Sequence, residues 1–576
     1  MEKNENRKVY ESRTVKNFRE LVKYSCEHYT EHIAYKYKKD YTAKPVEYIN
    51  KTYEQVGKDI KAFSTMLLSM GLKGKRITLI GNNRYEWCIS YLAVTCGDMV
   101  IVPLDKALPD NEMTTLVRRS EAEVIICDEK YVNVIKKAKI NNDNHLNLII
   151  CMDEIEDPEV ESFNNLLNQG KQLVEKGDTT YDNIQLDENK MSIMLFTSGT
   201  TNEPKAVMLS QYNICANITD MASWVKIYST DTLLSFLPIH HTFECSITFL
   251  YGFYSGATVA FCDGLKHIQK NLAEYQVSVF VAVPLVLETM YKKIIKAIDD
   301  QGKTKLINFM TKLSRGLLKC HIDLRKVIFK QVLDNFGGHL RVVLYGAAPM
   351  NKDTIIGFNN LGIELAQGYG LTETSPVISA ETDKEKRPGS VGLALPSLEV
   401  KIENPDQEGV GEIAVKGPSV MMGYYENEEE TKKALKDGWF STGDFGYIDQ
   451  DGFIYITGRK KDIIVLKNGK NVYPQEIEFL INKIPYVVES LVYARDKDTT
   501  DTMLCAKIVY DAERIKEILG EKTEEEYEKL LWEEVKVINQ SLPIFKHIKK
   551  ISITTEELVK TTTQKVKRYE ELKKLS

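Results

Sequence analysis

The stretch LFTSGTTNEPKAVMLS, residues 195–210, sets the hydroxyls of Thr197, Ser198, Thr200 and Thr201 around Gly199 and closes on Pro204 and Lys205. Its hydroxyls come directly after the apolar run 193–196, so they read as a loop leaving a buried strand. Backbone N–H groups at a glycine, hydroxyl donors and an ammonium together hold a polyanion without a deep pocket, and the chemistry they suggest is phosphate. Taken alone, the loop also reads as a polar hairpin turn. A nucleotide P-loop is excluded. That motif needs glycine before its lysine and a hydroxyl after it, and here Pro204 and Ala206 occupy those places.

Outward from this loop, apolar strands alternate with amphipathic helices. The periodicity predicts a helix over 53–70, strands over 76–80, 99–102 and 124–127, and a helix over 85–95. Beyond the loop it predicts strands over 258–261, 277–283 and 340–345, with a long helical tract over 291–336. This alternation is the signature of a parallel sheet with helices on both faces. After Pro376 glycine and proline multiply, and short β segments over 398–402, 412–415 and 453–456 predict a β-rich subdomain. Residues 458–576 read as a compact α+β tail.

Composition bounds the function. A chain of 576 residues exceeds one hydrophobic core, and its net charge of −6 argues against nucleic acid as the main partner. The N-terminal MEKNENRKVYESR lacks the apolar centre of a secretory signal. The longest apolar run, over 277–287, is broken by Pro284 and too short to span a bilayer. Ten cysteines without a C-x-x-C pair read as reduced thiols in a cytoplasmic protein. The nine histidines lack metal-ligand spacing.

Four further stretches belong with the opening loop: QGYGLTETSP at 367–376, STGDFGYID at 441–449, GRKKDIIVLKNGKNVYPQEIE at 458–478 and VKTTTQKVKR at 559–568. An aspartate in a tight turn suits ribose hydroxyls, an aromatic flanked by glycines stacks on a base, and a glutamate near phosphates ligates magnesium. Each alone is a turn with its caps. Their joint presence in this order points to nucleotide handling.

In that order they resemble the adenylate-forming (AMP-binding) enzyme superfamily, which includes acyl-CoA synthetases, peptide-synthetase adenylation domains and firefly luciferase. LPIHHTFE at 237–244 and the helical tract ahead of LRVVLYGAAPM at 340–350 look most like long-chain fatty acyl-CoA synthetases. The resemblance implies an α/β fold. A large N-terminal domain of doubly wound sheets would span 1–457, its β-rich subdomain lying at about 376–457, and a small mobile α+β domain would span 458–576. It implies an AMP-forming acid–thiol ligase that uses ATP, Mg2+ and either CoA or a carrier protein's phosphopantetheine arm.

By the same resemblance, Thr197, Ser198, Gly199, Thr200, Thr201 and Lys205 bind the β- and γ-phosphates. Gly346, Ala347, Ala348, Pro349, Gly368, Tyr369 and Gly370 line the adenine. Thr372 faces the α-phosphate and Glu373 holds the metal. Asp444 binds the ribose beside Arg459, Lys461 is the hinge, and Gly469 lies in the loop nearest the thiol arm. His241 sits at the mouth of the acyl pocket, with a structural histidine as the alternative, and residues 280–287 either line an acyl tunnel or form a core strand. Lys565 is the catalytic lysine, and Lys560 and Lys567 are its neighbouring alternatives. Asn202, Ala206, Val559 and Gln564 depart from the family's pattern. A fatty acid ligase acting on CoA is the leading expectation. Its rivals are a ligase loading an acyl carrier protein and an amino-acid-activating enzyme, the latter echoed faintly by Phe243-Glu244-Cys245-Ser246. A scaffold without activity would have no chemical reason to keep Glu373, Asp444 and Lys565. Chain length, oligomeric state and peripheral membrane contact stay open.

Overall fold

The computed structural model describes residues 8–140, 145–197, 204–466, 470–496, 502–560 and 566–575. The chain divides into two compact units, Met1–Val400 with Val415–Phe440, and Lys401–Ala414 with Ser441–Ser576.

The first unit holds two large sheets. One runs in the order Gly423–Tyr424, Lys205–Ser210, Met191–Thr197, Val100–Pro103, Arg76–Ile80, Val124–Cys127, Leu148–Cys151, Glu161–Ser162. Its strands from Met191–Thr197 to Glu161–Ser162 are parallel, and the first three alternate in direction. The other sheet is parallel from Glu364–Gly370 through Val342–Tyr345, Val279–Ala282, Thr232–Ser235 and Thr258–Phe261 to Ile33–Lys38. Antiparallel strands Val377–Ala380 and Tyr48–Thr52 flank that run. Strands such as Val124–Cys127 (VIIC) and Val279–Ala282 (VFVA) are buried at every residue, as expected of parallel strands covered on both faces.

The helices match their patterns. Tyr53–Ser69 begins at a capping box in which Thr52 and Gln55 satisfy each other's backbone N–H. Tyr85–Cys96 is apolar nearly all round and buried at every position except Glu86, so it lies inside the unit rather than upon it. The tract expected to be helical over 291–336 is broken into Pro284–Asp300, Thr304–Lys319 and the three short turns Arg325–Ile328, Lys330–Leu333 and Asp334–Phe336, and Gly302 and His321 adopt positive φ on either side of Thr304–Lys319. Residues 280–282 lie in a core strand, with Phe280 stacked on Phe236 at 5.0 Å.

The second unit is built on the sheet Val487–Asp496, Thr502–Tyr510, Lys550–Thr554, antiparallel and then parallel. Pro474–Ile481 and Glu524–Gln540 cover it through Ile477, Ile481, Leu531 and Val535. Its segments 401–414 and 441–457 come from the stretch read as β-rich.

Candidate active site

The opening stretch forms a hairpin. Met191–Thr197 pairs antiparallel with Lys205–Ser210, ending at Thr197 opposite Lys205, and Thr197 Oγ1 donates to the Lys205 carbonyl at 3.4 Å. Ser198, Gly199, Thr200 and Thr201 lie outside the described residues. Lys205 forms an ion pair with Glu430 and sits 4.9 Å above the Tyr424 ring. Ala206, one of the departures from the family pattern, is buried opposite Phe196 in the core.

A second element reaches the same tyrosine. The strand Glu364–Gly370 ends in a close approach of backbones: a Cβ on Gly370 would lie 1.8 Å from the Pro376 oxygen, so only glycine fits. The single turn Thr372–Thr374 follows, held by Leu371 N–H donating to Pro376 O at 3.0 Å. That turn presents Glu373, whose carbonyl accepts from Met421 N–H at 2.8 Å. Its Oε1 accepts from the Tyr424 hydroxyl at 3.1 Å. Gly423–Tyr424 itself pairs with Lys205–Ser210, so Tyr424 joins the hairpin to the Glu373 turn. Burial and the Glu373 charge both push the Tyr424 phenol far up, which keeps it a donor.

Gly346, Ala347, Ala348 and Pro349 leave the strand Val342–Tyr345, which is parallel to Glu364–Gly370 with Tyr345 opposite Gln367. A Cβ on Gly346 would stand 2.7 Å from the Gly368 oxygen, which joins the two expected adenine-lining segments at their backbones. Ala347 is strained at φ 71°, and residues 347–349 are exposed. Gly368, Tyr369, Gly370 and Thr372 are half-buried. Beside Gly368 a narrow apolar cavity opens, lined by Phe243, Ile247, Leu344, Ala366 and Val377.

His241 is half-buried, its ring 5.3 Å from that of His240. Burial lowers the basicity of His240, whose Nε2 lies 3.8 Å from Asp105. Three residues beyond His241, Glu244 opens a π-helix, Glu244–Tyr251, and is fully buried. Its carboxyl accepts from Ser235 at 2.7 Å and Thr248 at 2.9 Å, and Asn83 in turn donates to Ser235 at 2.8 Å. Burial pushes the Glu244 carboxyl up to about 8. Its oxygens are engaged by hydroxyls, unlike an acid presented to a substrate amine.

The second unit carries the remaining candidates. Asp444 and Arg459 face each other across the strands Trp439–Ile448 and Ile454–Arg459, Arg459 Nε lying 3.1 Å from Asp444 Oδ1. Gly443, at φ 72°, forms the bend before buried Asp444, and its N–H donates to Glu412 Oε1 at 3.2 Å. Lys461 lies in the single turn Lys460–Asp462, and burial lowers its basicity. Gly469 and Lys565 fall outside the described residues. Of the neighbouring lysines, Lys560 pairs with Glu489 at 3.1 Å and Glu557 at 3.3 Å, and Lys567 pairs with Glu570 at 3.0 Å.

Residues 22–425 match the family model described as AMP-binding enzyme, and residues 461–575 match the AMP-binding enzyme C-terminal domain. The chain belongs to the AMP-binding enzyme family.

Its relatives include long-chain-fatty-acid–CoA ligase 6 of Mus musculus, 29% identical, the match covering 80% of this chain and 70% of the relative. Another is the chloroplastic long-chain-fatty-acid–[acyl-carrier-protein] ligase AEE15 of Arabidopsis thaliana, 28% identical, covering 84% and 76%. Among solved structures, an anthranilate CoA ligase in complex with anthranoyl-AMP superposes with a TM-score of 0.77 at 18% identity, covering 97% of each chain. The fold is therefore that of adenylate-forming enzymes.

Two residues of this AMP-binding enzyme's cluster escaped the sequence reading. Tyr424 and Glu430 lie outside every motif, in MMGYYENEEE, and only the pairing of Gly423–Tyr424 with the hairpin brings them to Lys205 and Glu373. No spacing in the sequence marks that pairing.

Proposed function

We propose that this chain is an AMP-forming ligase that activates a long-chain fatty acid as its acyl-adenylate and transfers the acyl group to the thiol of CoA. One observation carries the proposal: Tyr424 joins the hairpin that ends at Lys205 to the turn that presents Glu373. A loop rich in hydroxyls thus leaves from beside a carboxylate suited to a hard cation.

In this reading a carboxylate oxygen of the acid attacks the α-phosphorus of ATP. The new acyl–phosphate bond forms as the bond to pyrophosphate breaks, and pyrophosphate leaves. A thiol then attacks the acyl carbon, its proton passes to solvent, and AMP departs. Thr197, Ser198, Gly199, Thr200 and Thr201 hold the β- and γ-phosphates, and Lys205 exchanges Glu430 for a phosphate oxygen. Gly346 to Pro349 and Gly368 to Gly370 line the adenine, Thr372 faces the α-phosphate, and Asp444 with Arg459 binds the ribose. Glu373 would hold Mg2+. Among the described residues no three acidic, His or Cys side chains gather into a metal cage, which suits an ion that arrives with its nucleotide on one carboxylate. Bound there, the ion would offset charge on the leaving pyrophosphate.

Lys565 neutralises charge at the α-phosphate and carboxylate, and His241 stands beside the reacting carboxyl group. An apolar acyl pocket would gain about 0.8 kcal/mol for each methylene it buries. The small domain turns about Lys461 between half-reactions, bringing Gly469 to the thiol arm. Ten free cysteines suit a cytoplasmic setting. A carrier-protein thiol is the second reading, favoured by the Arabidopsis relative, which acts on that acceptor. The test is product analysis with a long-chain acid, ATP and either CoA or a carrier protein. We expect acyl-CoA, AMP and pyrophosphate in equal amounts. Thioester on the carrier protein alone would move the assignment to the second reading, and ADP as product would overturn both.

A further inference from the structure

Away from the site, the helix Thr304–Lys319 breaks the usual rule for a surface helix. Ile307 and Met310 pack against the core and Ser314 is buried beside them, as an amphipathic helix requires. Yet Leu306, Phe309 and Leu313, spaced i, i+3, i+7 and so on one face, are 53%, 63% and 46% exposed. The exposed apolar surface continues past the helix at Ile322, Leu324 and Val327, the last 73% exposed. Exposed Lys305, Lys312 and Lys319 repeat every seven residues and form a row alongside the apolar stripe.

The local charge is the reverse of the whole. Between positions 284 and 336 the chain carries eleven Lys and Arg against five Asp and Glu, on a protein of net charge −6. A row of lysines at about 10 Å intervals beside protruding Leu and Phe has two complements in one plane: anionic headgroups and the acyl layer beneath them. A second copy of this chain is the weaker fit, because pairing two copies antiparallel on this face would set the lysine row against itself. Among the described residues no helix is long and apolar enough to cross a membrane, so any contact of this kind is peripheral.

We propose that Thr304–Lys319, with the exposed residues that follow as far as Val327, lies in the plane of an anionic lipid surface and docks the enzyme there. The surface chemistry stands without the substrate assignment. If that assignment holds, docking sets the enzyme where its poorly soluble acid is dissolved.

The test is sedimentation of the full chain with phosphatidylcholine vesicles, with and without phosphatidylglycerol. The protein should bind the anionic vesicles, and bind more weakly as salt rises. Lys305→Gln/Lys312→Gln/Lys319→Gln should weaken binding by roughly fivefold for each charge removed. Leu306→Ser/Phe309→Ser/Leu313→Ser should lower it at least tenfold, while both variants melt like the parent and keep its adenylation rate on a monomeric medium-chain acid. Absence of binding by the parent, or equal binding by parent and both variants, overturns the proposal. So does binding of an acidic carrier protein, but not vesicles, through the same lysines. Adenylation is read separately in solution, so failure of the enzymatic assignment and failure of docking are told apart.

Discussion

Tyr424 donates its phenolic hydrogen to Glu373 at 3.1 Å, while the same ring lies 4.9 Å beneath the Lys205 ammonium. One aromatic side chain thus sets the separation between a cation at the base of the hydroxyl loop and a carboxylate on a different strand's end. Glu373→Gln keeps the shape and the acceptor but removes the charge, so acyl-adenylate formation should fall by about two to three orders of magnitude. Tyr424→Phe keeps the ring and removes the hydrogen bond to Glu373, and should cost roughly tenfold, or about 1.4 kcal/mol. Rapid-quench measurement of adenylate reads both. A Glu373→Gln rate equal to the parent's would remove Glu373 from the metal.

Asp444 is buried in a glycine bend and paired with a partly exposed Arg459. Asp444→Ala should raise the KM for ATP by about tenfold, the effect of losing one charge-assisted pair of hydrogen bonds. The order of preference among carboxylic acids should be unchanged. An unaltered KM for ATP would remove the ribose assignment.

Much of this was legible in the sequence because the signals were local. The strands over 76–80, 124–127 and 258–261 coincide with those observed, since fully buried parallel strands are short apolar runs bounded by turns. Gly370 was legible too, as a residue in a glycine-flanked motif, although the reason for it, the Pro376 carbonyl, is a contact across a turn. Tyr424 was not legible. Its importance comes from a two-residue strand that crosses to the hairpin more than two hundred positions earlier, and nothing periodic marks so short an element. The π-helix at Glu244 was hidden for a different reason: the hydroxyls that satisfy its buried carboxyl, Ser235 and Thr248, are brought to it by the fold and by the helix itself, and nothing local in the sequence marks them as its partners.

Lys560 and Lys567 are each held in ion pairs within their own unit, which gives the comparison with Lys565 a clear form. Lys565→Ala should lower ATP-dependent adenylate formation by about a hundredfold or more and leave transfer from pre-formed acyl-adenylate to the thiol largely intact. Lys567→Ala should change neither by more than about twofold. Single-turnover assays of the two half-reactions decide between them. The opposite outcome would shift the assignment by two residues.

Glu244 gives stability a pH dependence of known sign. Its folded carboxyl titrates at about 8, above the ordinary 4.5, because burial disfavours the charged form. The folded state therefore keeps a proton that the unfolded chain releases, and the contribution is complete below about pH 4.5 and lost as pH rises toward 8. The slope from this group is at most about 1.4 kcal/mol per pH unit. Glu244→Gln removes it, so the Tm difference, variant minus parent, should grow as pH is raised from 5 to 8. A difference that is constant over that range would mean that Glu244 titrates normally.

The most direct test of the enzyme's chemistry is exchange of labelled pyrophosphate into ATP by the purified chain across a panel of carboxylic acids, with Glu373→Gln as the control. The account predicts exchange that requires a long-chain fatty acid, falls with shorter acids and is abolished in the control. Exchange supported by amino acids but not by fatty acids, or no exchange with any acid in the panel, would contradict it.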